Sequence, residues 1–127
     1  MNKFGTGIAA LALAGCSTFV GGNLVTEGSP RGTLAISNQT SNPINTVTIS
    51  RCSAMSHGLD QLDGEIAPGN GLRWQVDAGC WDVQVAYSRG GGSGYDFASF
   101  SNIQVRPNQN WLLTVNGGGA AGQRVVN

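Results

Sequence analysis

The stretch Leu72–Tyr87, LRWQVDAGCWDVQVAY, decides the fold. Apolar side chains alternate as Leu72, Trp74 and Val76, and again as Trp81, Val83, Val85 and Tyr87, against Arg73, Gln75, Asp82 and Gln84. A period of two sends one row of side chains into a core and the other toward water. Asp77-Ala78-Gly79 interrupts the two runs, so the spacing predicts a two-stranded antiparallel unit. Two of the three tryptophans lie here, and the core is expected to condense on them.

Outward from this stretch the same period recurs. Leu34 and Ile36 alternate with Ala35 and Ser37 in Thr33–Asn38, and Val47 and Ile49 alternate with Thr46, Thr48 and Ser50 in Asn45–Cys52. Gly64–Ala67 reads as a short strand closed by the Pro68-Gly69-Asn70-Gly71 turn. Residues 88–94 carry four glycines and read as a mobile loop tip. In Asp96–Val105 the pattern slips: Ala98 and Phe100 share one parity, while Phe97, Ile103 and Val105 share the other. A bulge between Ser99 and Asn102 would reconcile them by moving the register one residue. Trp111, Leu113 and Val115 begin a last strand, and residues 117–127 read as a flexible tail, with an edge strand over Arg124–Val126 as the alternative. No segment carries a helical apolar stripe. The expectation is all-β: a single antiparallel β-sandwich of six or seven strands over residues 32–116.

A chain of 127 residues with 40% hydrophobic content suits one domain, and 20 glycines with 11% charged residues suit many turns and an amide- and hydroxyl-rich surface. Formal net charge is zero, and Lys3 is the only lysine. That balance offers no clustered basic face for nucleic acid, nor one for anionic lipid.

The opening residues, MNKFGTGIAALALAGC, place one positive charge before a short apolar run, the layout of a secretory signal too short to span a bilayer. Leu13-Ala14-Gly15-Cys16 resembles the lipobox of bacterial lipoprotein precursors. The resemblance implies that residues 1–15 are a cleaved signal peptide and that Cys16, acylated through its sulfur, becomes the new N-terminus. Several acyl chains anchor firmly, at about 0.8 kcal/mol per buried methylene. Ser17 in place of an aspartate favours the outer membrane by the same resemblance. An ordinary signal peptide with an unrelated Cys16 is the alternative. Residues 16–31 then form a flexible tether, with a first edge strand over Asn23–Thr26 as the other reading.

Setting Cys16 aside leaves Cys52 and Cys80, an even number in an oxidising compartment. Both fall on the polar parity of their strands, which suits a bridge near strand ends, joining the second expected strand to the fifth. Two unpaired thiols are the alternative.

Candidate chemistry is sparse. His57, Asp60, Asp63 and Glu65 make a polar cluster with oxygen donors for Ca²⁺, but their spacing matches no EF-hand, and such a run is ordinarily a solvated loop. No metal or cofactor is assigned. There is no nucleophile elbow, and Gly92-Ser93-Gly94 only imitates one, so no catalytic residues are assigned and the chain is not expected to be an enzyme. Trp74, Trp81 and Trp111 share parity with aliphatics and suit the core better than a sugar platform. Tyr95, beside the glycine loop, and Phe100, at the expected bulge, are the candidates for an exposed contact surface.

Pro68-Gly69 followed by Gly79-x-Trp81-Asp82-Val83-x-Val85 resembles a phrase in small secreted bacterial sandwiches of immunoglobulin-like or prealbumin-like shape. That likeness implies strand geometry and carries no functional residue. The expected function is a lipid-anchored envelope protein, non-catalytic, acting as a structural or interaction module with an envelope protein partner. A small-ligand or carbohydrate-binding module is the alternative.

Overall fold

The computed structural model describes residues 24–55, 58–89, 94–117 and 121–126. The expected signal peptide, Cys16, His57 and the glycine run 90–93 lie outside the described residues. Seven strands follow in chain order: β1 (Arg31–Gln39), β2 (Ile44–Arg51), β3 (Gly71–Asp77), β4 (Gly79–Ser88), β5 (Tyr95–Val105), β6 (Asn110–Asn116) and β7 (Ala121–Val125). They form a four-stranded sheet, β3-β1-β6-β7, packed on a three-stranded sheet, β2-β4-β5. The β-sandwich is as expected. Within it β1 pairs parallel with β6, Leu34 opposite Trp111, while every other ladder is antiparallel.

The deciding stretch keeps its two strands but not their partnership. β3 and β4 belong to different sheets, so Asp77-Ala78-Gly79 is an arch between layers rather than a hairpin turn. Trp74 and Val76 therefore face Trp81, Val83 and Val85 across the core, and all five are buried. The backbone of the arch is satisfied from outside it. Asp77 N–H donates to Leu24 O at 2.7 Å and Ala78 N–H donates to Pro30 O at 2.8 Å. The indole Nε1–H of Trp81 donates to Asp77 O at 2.8 Å. Gly79 turns the chain with φ of +149°, in a region that disfavours side chains. Leu72 is 42% exposed despite its apolar parity, because it sits at the open end of an edge strand.

The bulge is where the parity slip put it. Trp81 opposes Ile103 and Val83 opposes Phe100, so Ser101 and Asn102 together face Asp82. Asn102 takes φ of +56°, and its N–H donates to an Asp82 carboxylate oxygen at 2.9 Å. The extra residue brings Ala98 and Phe100 onto the same inner face as Ile103 and Val105.

Three boundaries differ from expectation. Residues 24–31 are not a loose tether: Leu24 is buried in the core, and Thr26 is bonded to Asp77 through both its N–H and its hydroxyl. Residues 64–67 make no strand, only a bridge in which Ile66 and Ile44 exchange backbone bonds. The flexible tail is in part β7, paired with β6 from Trp111–Val125 to Val115–Ala121. Its sequence, AGQRV, has no apolar alternation because all five residues are exposed.

Edge strand β2 is covered by the connection that follows it. Asp60 accepts from the backbone N–H of Val47 and of Leu62, and Gln61 N–H donates to Val47 O. A partnered edge of this kind resists pairing with other chains. At the same end as the arch, the turn at 106–109 packs on β1 at Gly32. A Cβ there would strike Val105 and stand 2.7 Å from Gln109 O. Gly32→Ala is accordingly expected to destabilise by about 1–3 kcal/mol in urea unfolding, since the carbonyl belongs to backbone that must shift.

Candidate binding surface

The first half of β5 carries an outward aromatic pair. Tyr95 and Phe97 are 53% and 58% exposed, on the same side of the strand and two residues apart, which spaces them by about 7 Å. Their neighbours across the ladder are Ser88 and Ala86 on β4, and Ala86 is flanked in turn by Thr46 on β2. Further along the same face, Ser99 lies opposite Gln84 and Gln84 opposite Thr48. Ser88 Oγ donates to Asn45 Oδ1 at 3.0 Å, and Asn45 Nδ2 donates to Glu65 at 2.9 Å. The charges nearest the rings are the Arg89–Asp96 pair at 3.0 Å, an exposed contact of small energetic weight. The surface is thus two aromatic rings bordered by hydroxyls and amides.

Tyr95 is exposed as expected. Phe100 is not: it is 2% exposed and packs in the core, since the bulge lies after it and leaves it on the parity of Ala98. Phe97 takes its place on the surface. Counting parity through the bulge exposes it: if Ala98, Phe100, Ile103 and Val105 share the inner face, Phe97 must lie on the other.

The remaining candidates serve structure. Cys52 and Cys80 form a disulfide with Cα atoms 5.4 Å apart, and Cys52 N–H also donates to Cys80 O. The bridge joins the end of β2 to the start of β4, neighbours in one sheet and the second and fifth of the expected strands. Trp74 and Trp81 are buried, and Trp111, packed against the core, donates its Nε1–H to Gln109 Oε1 at 3.0 Å. Of the acidic connection, Asp60 is engaged with backbone and Glu65 with Asn45. Among the described residues no three His, Cys, Asp or Glu side chains converge on a point that could hold a metal ion.

The strongest electrostatic arrangement is at the arch. Asp77, buried, accepts from Thr26 N–H at 2.8 Å, from Thr26 Oγ1 at 2.7 Å and from an Arg51 guanidinium nitrogen at 2.8 Å. The Arg51 guanidinium lies 4.6 Å from the centroid of the Trp81 ring. Burial pushes the carboxyl of Asp77 up, but its bonds to Thr26 and Arg51 outweigh burial and hold it below the ordinary carboxylate range. This latch clamps residues 24–30 onto the sandwich.

No family model and no curated protein matches the sequence. Two solved structures are similar to it. One is the NMR structure of a protein from Eubacterium rectale, with 11% identity over 80% of this chain and 93% of that one, at a TM-score of 0.47. The other is the C-terminal domain of AlgF from P. aeruginosa, with 15% identity over 77% of this chain and 98% of that one, at a TM-score of 0.41.

Proposed function

We propose that this chain is a lipid-anchored, non-catalytic module of a bacterial cell envelope, held by acylated Cys16 and contacting a partner protein through Tyr95 and Phe97. The observation that carries this reading is the polarity of the sandwich. Residues 24–30 dock at the end that holds Asp77, Arg51 and the start of β4, whereas Tyr95 opens β5 opposite Ser88, at the far end of the same β4. A ten-residue strand separates the two ends by about 30 Å. Residues 17–23 extend at most about 25 Å, so an anchor at Cys16 would keep the docked end near the bilayer and the aromatic pair away from it. Placement in the outer membrane belongs to the same proposal.

The test is crosslinking in intact cells, comparing wild type with the Tyr95→Ser/Phe97→Ser double variant. Both side chains are exposed, so stability should stay within about 0.5 kcal/mol of wild type while a discrete crosslinked partner is lost. Unchanged crosslinks in a folded variant would overturn the reading. Intact mass of membrane-extracted protein tests the anchor separately, by acyl groups on a chain beginning at Cys16.

The hydroxyls and amides bordering the aromatic pair favour one second reading, a carbohydrate module, because sugar rings stack on aromatics and exchange hydrogen bonds with such groups. A neutral oligosaccharide at a hundred times its Kd would then stabilise the domain by about 2.7 kcal/mol, and Tyr95→Ala would abolish the gain.

A further inference from the structure

The four-stranded sheet presents the opposite chemistry on its outer face. One rung across it reads Arg73, Ala35, Leu112, Arg124, from β3 through β1 and β6 to β7. The next rung toward the docked segment reads Gln75, Thr33, Asn110, and Arg31 stands beyond it at the start of β1. Arg73 and Arg124 are three strand spacings apart, about 14 Å, with Ala35 and the half-buried Leu112 between them. The face dips along β1, where Thr33 and Ala35 line it, into a trough. Two cavities lie along it, of about 420 and 260 Å³, and they are contiguous because Thr33 and Asn110 line both. Arg31 lines the first and Arg73 the second, and neither lining includes a carboxylate. Among the described residues the ion pairs are Arg51–Asp77 and Arg89–Asp96, so Arg31, Arg73 and Arg124 are in none.

The acids are elsewhere. Asp82 and Asp96 lie on the other sheet, Asp60, Asp63 and Glu65 lie on the connection beside β2, and Asp77 is engaged by Arg51 and Thr26; Glu27, exposed on the docked segment, is close in sequence to the trough but lines neither cavity. A sequence with zero net charge thus folds into a domain with a cationic sheet face.

We propose that this trough receives the phosphate groups of anionic lipid, tilting the docked-segment end of the four-stranded sheet onto the membrane to which the chain is anchored. Tyr95 and Phe97 stay at the far end, on the other sheet. Guanidinium forks bind phosphate oxygens in pairs, and the amide and hydroxyl groups of Gln75, Asn110 and Thr33 suit the ester and glycerol oxygens beside them. Lipid is the source favoured by position. The trough begins at Ser29 and Arg31, directly after the docked segment that leads back toward Cys16, so head groups are the oxyanions a short link holds in reach. This proposal rests on the anchored reading of the chain.

The experiment uses the full lipidated protein in nanodiscs, read by broadening of backbone amides from a paramagnetic label on the lipid. With phosphatidylglycerol present, amides around Thr33, Ala35 and Leu112 should broaden while those around Thr48 and Gln84 on the other sheet do not. Each arginine contributes about fivefold near an anionic surface, so Arg73→Gln/Arg124→Gln should lower the docked fraction about 25-fold, with the spectrum otherwise folded. Salt at 1 M, where the Debye length is about 3 Å, should release the face as well. Equal broadening in pure phosphatidylcholine, broadening of the other sheet, or a response to soluble glycerol phosphate alone would each overturn the proposal. Failure of the anchor reading appears separately, as an unacylated intact mass.

Discussion

Asp77→Ala is expected to destabilise the domain by about 3 kcal/mol in equilibrium urea unfolding. The carboxylate is buried and takes three bonds, two from Thr26 and one from Arg51. Removing it leaves the Thr26 N–H and hydroxyl without their acceptor and Arg51 without its counter-ion. The side chain of Arg51 is 36% exposed and can turn toward water, so the cost stays at the lower end for a broken buried pair. The loss spreads to residues 24–30, whose clamp is gone, and faster amide exchange at Thr26 should report it.

The same residue sets an acid limb. Its folded pKa is lowered, so its contribution is fully present above the unfolded carboxylate value near 3.9. As pH falls below about 4 the unfolded chain takes up a proton that the folded state resists, and the contribution is lost through the lowered folded value. The gap between wild type and Asp77→Ala should therefore narrow steadily below pH 4 and stay constant from pH 5 to 7. A gap that widened on acidification would contradict the bonding at the arch.

Cys52→Ala/Cys80→Ala is expected to cost about 3.5 kcal/mol, the loop-closure term for a separation of 28 residues. The bridge closes an excursion: the chain leaves β2, covers its edge through Asp60 and Ile66, enters the other sheet as β3 and returns beside β2 as β4. Without the bridge, β2 and β4 keep their ladder, and the intervening segment gains freedom mainly in the unfolded chain. Urea unfolding of the double variant, and of wild type with and without reductant, measures the term. A loss under 1 kcal/mol would mean that the unfolded chain is already confined by other contacts.

Alternation of side chains reports the face on which a residue lies and is silent about which strand lies alongside it. Trp74, Trp81, Val83 and Val85 were legible as core for that reason, and the assignment of β3 and β4 to different sheets was not. The bulge was legible because it breaks parity, yet its effect on Phe97 and Phe100 depends on the side of the bulge on which each falls. The docking of residues 24–30 escaped the pattern because it rests on Leu24 and on two bonds from Thr26, with no repeat to announce it. The cationic trough was hidden by a net charge of zero, since Arg31, Arg73 and Arg124 are scattered in sequence and meet only through the ladders of β1 and β6.

The parallel pairing of β1 with β6 bears on the order in which the molecule can assemble. β1 sits between β3 and β6, and its pairing of Leu34 with Trp111 closes across most of the chain. Such closure is entropically expensive and comes late, so folding belongs on the slow timescale of sandwiches with high contact order, milliseconds to seconds. A nascent chain lacking its last two strands would hold a half-built sheet, with one hydrogen-bonding edge of β1 open. The first strand made must wait for the sixth to arrive before its second edge is paired.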